Sequence, residues 1–168
     1  MISRNLITDA LMIVVLVALQ IFLLNRITIA GRFSPVLFPV FVMFYPFYRN
    51  KYQFLGMSFL LGLGIDAFLG TWGINSFATV LIAYFRTVIF RTSTETSTDF
   101  FSFQALNWPQ FLLFVFSSLL IHQLLVQYIE FFKLSRFFEV LLNILVTTAI
   151  SFVFGLFYIL IFKIKEKV

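Results

Sequence analysis

The chain has 168 residues, of which 61% are hydrophobic, 20% are aromatic and only 11% are charged, with a formal net charge of +5 and no cysteine. A water-soluble domain is about a quarter charged, so the composition excludes a soluble enzyme, a nucleic-acid-binding domain and a disulfide-stabilised secreted module. The twelve Lys and Arg residues are scattered along the chain and form no basic cluster. The excess of positive charge is therefore interpreted as a feature of membrane topology and not of nucleic-acid binding. The sequence predicts an all-α integral membrane protein.

Six apolar segments are predicted to cross the membrane, because each approaches the roughly 20 residues that a helix needs to span the hydrocarbon core. They cover about residues 6–24, 35–48, 53–69, 74–90, 110–129 and 137–162. A polar, Ser/Thr-rich loop at 91–108 and a tight glycine turn at 70–73 join neighbouring segments. The chain is therefore predicted to be a single transmembrane domain over residues 1–168, built as a six-helix bundle.

The second segment is the shortest and contains Pro39 and Pro46. Ser34 as the N-cap and Pro35 at the first helical position predict where its helix starts. We expect a short, kinked crossing. A re-entrant segment is the alternative.

Positively charged residues indicate which side of the bundle faces the cytoplasm. Seven of them fall on the side of the two termini, namely Arg4, Arg49, Lys51, Arg91, Lys163, Lys165 and Lys167. Four fall on the opposite side, namely Arg26, Arg32, Lys133 and Arg136. Both termini are therefore predicted to be cytoplasmic in a multi-pass membrane protein.

Small and polar residues recur at four-residue spacing in three of the segments. The rows are Ser58, Gly62, Asp66 and Gly70; Asn75, Thr79, Ala83 and Thr87; and Glu139, Asn143, Thr147, Ser151 and Gly155. Residues four apart share a helix face, and small residues let membrane helices approach closely. The rows are interpreted as internal packing of the bundle, with docking of a partner's helix and a substrate path as alternatives.

Asp66 and Arg86 are the charged residues predicted to lie deepest in the third and fourth segments. A carboxylate in hydrocarbon needs partners, and Asn75, Ser76 and Thr79 are predicted to lie at the height of Asp66. We therefore expect hydroxyl and amide groups to hydrogen-bond Asp66, or the carboxyl to be protonated. Arg86 is expected to extend toward the cytoplasm or to pair with a different chain.

His122 is the only histidine and shares a helix face with Ser118. A Ser–His dyad would need a third residue to orient the ring, and a metal site would need further ligands. The sequence offers neither, and it contains no nucleotide-binding motif. No catalytic, metal or cofactor site is predicted, and His122 is expected to hydrogen-bond to a neighbouring helix.

The best-marked region is Gly62-Leu63-Gly64-Ile65-Asp66-Ala67-Phe68, followed by Gly70, Gly73-Ile74-Asn75, Ala78 and Ala83-Tyr84-Phe85-Arg86. This region resembles the rod shape-determining protein MreD family, in the form common among Bacteroidetes. The length, the short proline-bounded second segment and the histidine in the fifth agree with it. The second half of the chain departs in detail, notably in the Ser/Thr-rich loop.

The resemblance implies a non-enzymatic subunit of the cell-elongation machinery, the elongasome, which controls cell shape and peptidoglycan synthesis. It implies binding to MreC, and indirect association with MreB, RodA and the penicillin-binding transpeptidase partner of RodA. The implied fold is similar to the substrate-binding subunits of energy-coupling-factor transporters.

Our interpretation is a scaffold whose small and polar helix faces dock MreC and whose basic ends contact MreB or membrane lipid. The alternatives are a vitamin-transporter subunit, which would need a polar pocket near the outer ends of the spans, and an intramembrane enzyme using Ser118 and His122. Residues with a predicted packing or partner role are Ser58, Gly62, Asp66, Gly70, Asn75, Thr79, Arg86, His122, Glu139 and Asn143.

Overall fold

The computed structural model describes residues 2–46, 50–94, 107–130 and 137–161. These ranges contain the helices α1 (Ile2–Ala18), α2 (Pro39–Phe44), α3 (Lys51–Leu69), α4 (Ile74–Thr94), α5 (Trp108–Glu130) and α6 (Phe137–Ile161). α1 continues through a π-helical turn (Leu19–Leu23) and a 3₁₀ turn (Leu24–Arg26). The described ranges contain no β-strand, which confirms the all-α prediction.

Four helices in the described part of the chain are long and apolar enough to cross a membrane, namely Leu6–Arg26, α3, α5 and α6. The apolar stretch Ile74–Phe90 of α4 is somewhat shorter. α4 itself extends to Thr94, into the predicted polar loop, and residues 95–106 of that loop lie outside the described ranges. The structure therefore supports an integral membrane helical protein, while the number of six crossings stays a prediction.

The long helices contact one another in the order α1, α3, α4, α5, α6, and α2 lies among them against α4 and α5. α2 is apolar all round, as expected for a helix buried on every side. Phe41 and Val42 pack in a cluster with α1, α3 and α4, Met43 packs with α4, α5 and α6, and Val40 packs with Leu24 and α6. The short helix thus forms the centre of the hydrophobic core.

The prediction that a helix starts at Ser34 and Pro35 is wrong, because α2 begins only at Pro39. Residues 34–37 are non-helical and lie inside the bundle. Non-helical backbone is tolerated at membrane depth only where protein groups satisfy it. Here Gln20 of the π-helical turn and Ser151 of α6 supply those groups, so the backbone is satisfied without the predicted helix.

The segment that contains α2 passes from one end of the bundle toward the other. Leu37 bonds to Gln20 near the end of the first helix, whereas Tyr45 bonds to Asp9 about 16 Å back along that helix. The Tyr45 ring stacks on Phe54 at the start of α3, and α3 then returns to the end where Phe68 meets Phe22. The short, kinked crossing and its alternative, a re-entrant segment, both stay predictions.

α3 and α4 are joined by the predicted tight turn. Gly70 and Gly73 have φ of 69° and 91°, in the left-handed region that glycine adopts without a steric penalty. Gly70 ends α3 by donating its backbone N–H to the carbonyl of Asp66. The turn sets the two helices antiparallel and places the carboxyl end of α3 beside the first residues of α4.

Candidate functional site

The Asp66 carboxylate binds the first turn of α4. Its Oδ1 accepts from the Thr71 hydroxyl (2.5 Å), the Asn75 backbone N–H (3.0 Å) and the Asn75 amide (3.1 Å). Its Oδ2 accepts from the backbone N–H (2.8 Å) and hydroxyl (2.6 Å) of Ser76. A helix N-terminus presents unpaired N–H groups and a partial positive charge. The carboxylate satisfies both. Asn75 and Ser76 are partners that the sequence led us to expect, whereas Thr79, which was expected at the same height, does not hydrogen-bond Asp66.

Gly62 lies one turn before Asp66, where α3 and α4 come closest. A Cβ at this position would lie 2.4 Å from the Cα of Ser76 and 2.5 Å from the Oγ1 of Thr79. The Thr79 hydroxyl lies within hydrogen-bond distance of the Ser58 carbonyl oxygen across the interface, at 3.0 Å, and of the Asn75 carbonyl oxygen in its own helix, at 2.8 Å. Close backbone approach and hydrogen bonds between helices are what hold membrane helices together.

The structure places the site residues predicted from the sequence in several separate regions of the bundle. Ser58, Gly62, Asp66, Asn75 and Thr79 are buried at the α3–α4 interface, whereas Gly70 is exposed in the turn. Glu139 forms an exposed ion pair with Arg32, and Asn143 lines a cavity between α5 and α6. Arg86 lies apart from the hairpin contact, whereas His122 faces a cavity that Thr71 and Asn75 of the hairpin also line.

Gln20 and Ser151 hold the non-helical segment before α2. The buried Gln20 amide donates to the carbonyl of Pro35 (3.0 Å) and accepts from the N–H of Leu37 (2.9 Å). The Ser151 hydroxyl accepts from the N–H of Val36, at 2.8 Å. Gln20 lies in the π-helical turn, which places its side chain toward this backbone. Two side chains, one from the π-helical turn and one from α6, therefore replace the hydrogen bonds of a helix.

Substituting these two anchors is expected to loosen the segment. Ser151→Ala and Gln20→Met each leave a buried N–H without its partner, which costs about 1–3 kcal/mol. Hydrogen–deuterium exchange in detergent should show faster exchange at Val36 for the first variant and at Leu37 for the second. Ser117→Ala is the control, because its hydroxyl donates to a carbonyl of its own helix. Unchanged exchange at residues 36 and 37 would contradict the assignment.

Arg86 is buried inside the bundle, with 3% of its surface exposed. Its Nη2 donates to the carbonyl of Tyr45, and its guanidinium carbon lies 4.9 Å from the centroid of the Phe54 ring. The Tyr45 hydroxyl in turn donates to the buried carboxylate of Asp9, at 2.8 Å. The expectation that Arg86 extends toward the cytoplasm or pairs with a different chain is therefore corrected. Tyr45 connects the two charged residues through its backbone and its side chain.

His122 faces a cavity of about 250 Å³, whose walls include Gln20, Asn25, Thr71 and Asn75. Its ring makes an edge contact with Phe38, with the ring centroids 5.0 Å apart. Neither ring nitrogen has a hydrogen-bond partner among the described residues. The expected hydrogen bond to a neighbouring helix is therefore absent there, and so is a bond to Ser118. A catalytic dyad is not formed in this arrangement.

A larger cavity of about 440 Å³ opens between α5 and α6 at the same end of the bundle. It shares Gln123, Val126 and Glu130 of α5 with the His122 cavity. Among the described residues, no group of three or more His, Asp or Glu side chains could hold a metal ion. The chemistry that the described polar groups offer is hydrogen bonding, either between helices or to a molecule in these cavities.

Asp9, Gln20 and Tyr45 are the polar residues whose importance the sequence reading missed. Asp9 and Gln20 could have been identified from the sequence, because polar residues inside a membrane segment usually face protein or a cavity. The hydrogen-bond partner of Tyr45 could not be predicted from the sequence, since it depends on the path of a non-helical segment.

Comparison with known proteins gives one family. A family model described as rod shape-determining protein MreD matches residues 3–161, nearly the whole chain. Neither a curated protein nor a solved structure matches the chain. The likeness to energy-coupling-factor subunits therefore stays a prediction.

Proposed function

Because the chain belongs to the rod shape-determining protein MreD family, we propose that it is a non-enzymatic scaffold subunit that docks MreC in the bacterial cell-elongation machinery. Membership of the family assigns it a role in rod shape determination, and its apolar helices make it a membrane protein. The family match is the observation on which this proposal depends. We place the protein in the inner membrane with both termini in the cytoplasm, where their basic residues contact MreB or anionic lipid.

The polar rows within the spans stabilise the bundle in this proposal. Ser58, Gly62 and Asp66 pack against α4, and Thr147 and Ser151 are buried on α6. Substituting these residues would therefore affect docking indirectly, through the fold. A partner helix needs a face that the chain itself leaves open.

The outward face of α3 is the surface that we propose for MreC. Gly56, Leu60, Leu63 and Ala67 are exposed and follow one another along one stripe of this helix. A Cβ at Gly56 would meet no atom within 4 Å. Glycine inside an exposed helix costs about 1 kcal/mol relative to alanine, so a close helix contact at this point would explain its presence. In this proposal, one membrane helix of MreC packs along this stripe.

Gly56→Leu is expected to separate docking from folding. The side chain enters open space in the isolated chain but blocks close approach of a second helix. We expect co-purification of MreC from native membranes in mild detergent to fall at least about tenfold, which corresponds to a loss of roughly 1.4 kcal/mol in binding. The thermal unfolding midpoint of the isolated protein should not fall below that of the parent, because leucine also favours the helix over glycine.

The matched control is Ala149→Leu, at an exposed position on α6. It places the same leucine side chain on the outer surface away from α3. Equal recovery of MreC with the parent and with Gly56→Leu would place the docking surface elsewhere. Failure to recover MreC even with the parent chain would refute the scaffold proposal itself.

A vitamin-transporter subunit is the second candidate, favoured by the polar cavity of about 440 Å³. Its volume lies in the range of small-molecule sites. The same purification discriminates the two functions, because a transporter subunit would be recovered with a pair of energising ATPases. An intramembrane enzyme has no such support, since Ser118 and His122 are not hydrogen-bonded to one another.

A further inference from the structure

Trp72 lies in the turn between α3 and α4, and 99% of its surface is exposed. The Ile74 N–H donates to the carbonyl of Thr71, at 3.1 Å, and closes a four-residue turn. Both central residues of this turn, Trp72 and Gly73, have a positive φ, of 49° and 91°. Turns with positive φ at both central positions are usually built from glycine, asparagine or aspartate. Tryptophan is therefore a poor choice for this backbone.

Packing within the chain does not explain Trp72 either. A bulky residue with positive φ is strained, and this strain is usually found where something else requires the residue. The indole ring is the largest apolar group that a side chain offers, yet here almost none of it is covered by the described residues. Strain and exposure at the same residue are explained if the indole makes a contact outside the chain.

The length of α3 indicates what lies at this level. Tyr52, in the first turn of α3, is 80% exposed. The helix rises about 26 Å from Tyr52 to Leu69, and Trp72 lies in the turn just beyond. Every exposed residue within 53–69 is glycine, alanine, leucine or phenylalanine. The two exposed aromatic residues therefore bracket an apolar surface whose length matches the hydrocarbon core of a bilayer, roughly 30 Å.

The chemistry of the two ends agrees with this match. Tryptophan and tyrosine are enriched where the acyl chains of a membrane meet the headgroups, because each combines an apolar ring with a hydrogen-bond donor. At the Tyr52 end, the Lys51 ammonium lies 5.9 Å from the centroid of the Tyr84 ring. Lysine near the end of a membrane helix extends its charge to the headgroups. Both ends of α3 thus carry side chains suited to the membrane–water interface.

We propose that Trp72 is a membrane anchor that fixes the α3–α4 turn at the lipid headgroups of one leaflet, with Tyr52 at the headgroups of the other. The indole ring lies among the upper acyl chains and its N–H donates to a headgroup oxygen. This contact offsets the strained backbone and removes the ring from water. It also places the Asp66 carboxylate, one turn before the end of α3, just inside the hydrocarbon core.

Fluorescence quenching in vesicles measures the depth of Trp72 directly. The chain has two tryptophans, so Trp108→Phe leaves Trp72 as the only one. The full chain with this substitution is reconstituted in phosphatidylcholine whose acyl chains carry bromine either near the headgroup or near the bilayer centre. We expect the shallow bromine to quench Trp72 at least about twofold more strongly than the deep bromine.

A tryptophan in the middle of α3 is the matched control. Leu60 is 50% exposed and lies about midway between Tyr52 and Leu69. Leu60→Trp, in a chain with Trp72→Phe and Trp108→Phe, should reverse the order, so that the deep bromine quenches more strongly. Tyr52→Trp in the same background should reproduce the shallow profile. If Trp108→Phe does not fold, the difference between the parent and Trp72→Phe gives the signal of Trp72.

Equal quenching of Trp72 by the two lipids, or stronger quenching by the deep bromine, would overturn the proposal. Quenching by aqueous iodide without any effect of brominated lipid would overturn it too, because the indole would then lie in water. Resistance to iodide and to both lipids would show that the indole contacts protein, for example a second copy of the chain, and not lipid. No MreC is present in these vesicles, so each of these failures leaves the scaffold function standing.

Discussion

Gly62→Ala is expected to lower the free energy of unfolding by about 1–3 kcal/mol, and Gly62→Leu by more. The added Cβ would lie 2.4 Å from the Cα of Ser76 and 2.6 Å from its backbone nitrogen. Backbone atoms cannot move aside as a flexible side chain can, so α3 and α4 must separate. Their separation also lengthens the hydrogen bonds from Ser76 to Asp66, which lie at the same contact.

The measurement is unfolding in mixed micelles with increasing sodium dodecyl sulfate, followed by circular dichroism. Gly56→Ala is the matched control on the same helix, because a Cβ there meets no atom within 4 Å. Since alanine favours the helix, this control should be neutral or more stable by up to about 1 kcal/mol. Equal effects at the two glycines would show that helix propensity, and not the α3–α4 contact, explains the result.

The α3–α4 hairpin was largely predictable from the sequence. Gly70 and Gly73 fixed the turn, and counting 1.5 Å per residue from it placed Asn75 and Ser76 level with Asp66. The four-residue spacing marked Ser58 and Gly62 as one face. Local geometry sufficed here because the partners are close in sequence and the connection is too short to allow another register.

The region around α2 could not be predicted in the same way. The helix-start signal at Ser34 and Pro35 is local, whereas the hydrogen bonds that replace the helix come from Gln20 and Ser151. Ser151 is more than a hundred residues away in sequence. The partner of Arg86 was missed for the same reason, since the carbonyl of Tyr45 faces it only because the segment passes through the bundle.

The cavities were equally hidden from sequence reasoning. His122 was noted as a polar residue on a helix, but whether its nitrogens meet a partner depends on the packing of Phe38 and on the neighbouring helices. Glu139 and Asn143 belong to a four-residue row, yet they line a chamber and do not form a close helix contact. Spacing identifies a face of a helix, but what lies against that face is decided by the whole fold.

Asp66→Leu is expected to destabilise the protein by about 3 kcal/mol, and Asp66→Asn by about 1–2 kcal/mol. The carboxylate accepts five hydrogen bonds from Thr71, Asn75 and Ser76. Leucine leaves the backbone N–H groups of Asn75 and Ser76 without acceptors at the start of α4. Asparagine restores one acceptor but directs an NH₂ group at other donors and removes the charge that the helix N-terminus favours.

The same sodium dodecyl sulfate titration measures both variants, with Glu139→Gln as the control. Glu139 is also a carboxylate of a helix end, but its side chain is 43% exposed in its pair with Arg32. Removing an exposed ion pair costs less than about 1 kcal/mol. Equal losses for Asp66→Asn and Glu139→Gln would contradict the assignment of Asp66 as the structural cap of α4. If Asp66→Asn is folded but no longer recovers MreC, the carboxylate contributes to docking as well as to the hairpin, and the α3 surface extends to the turn.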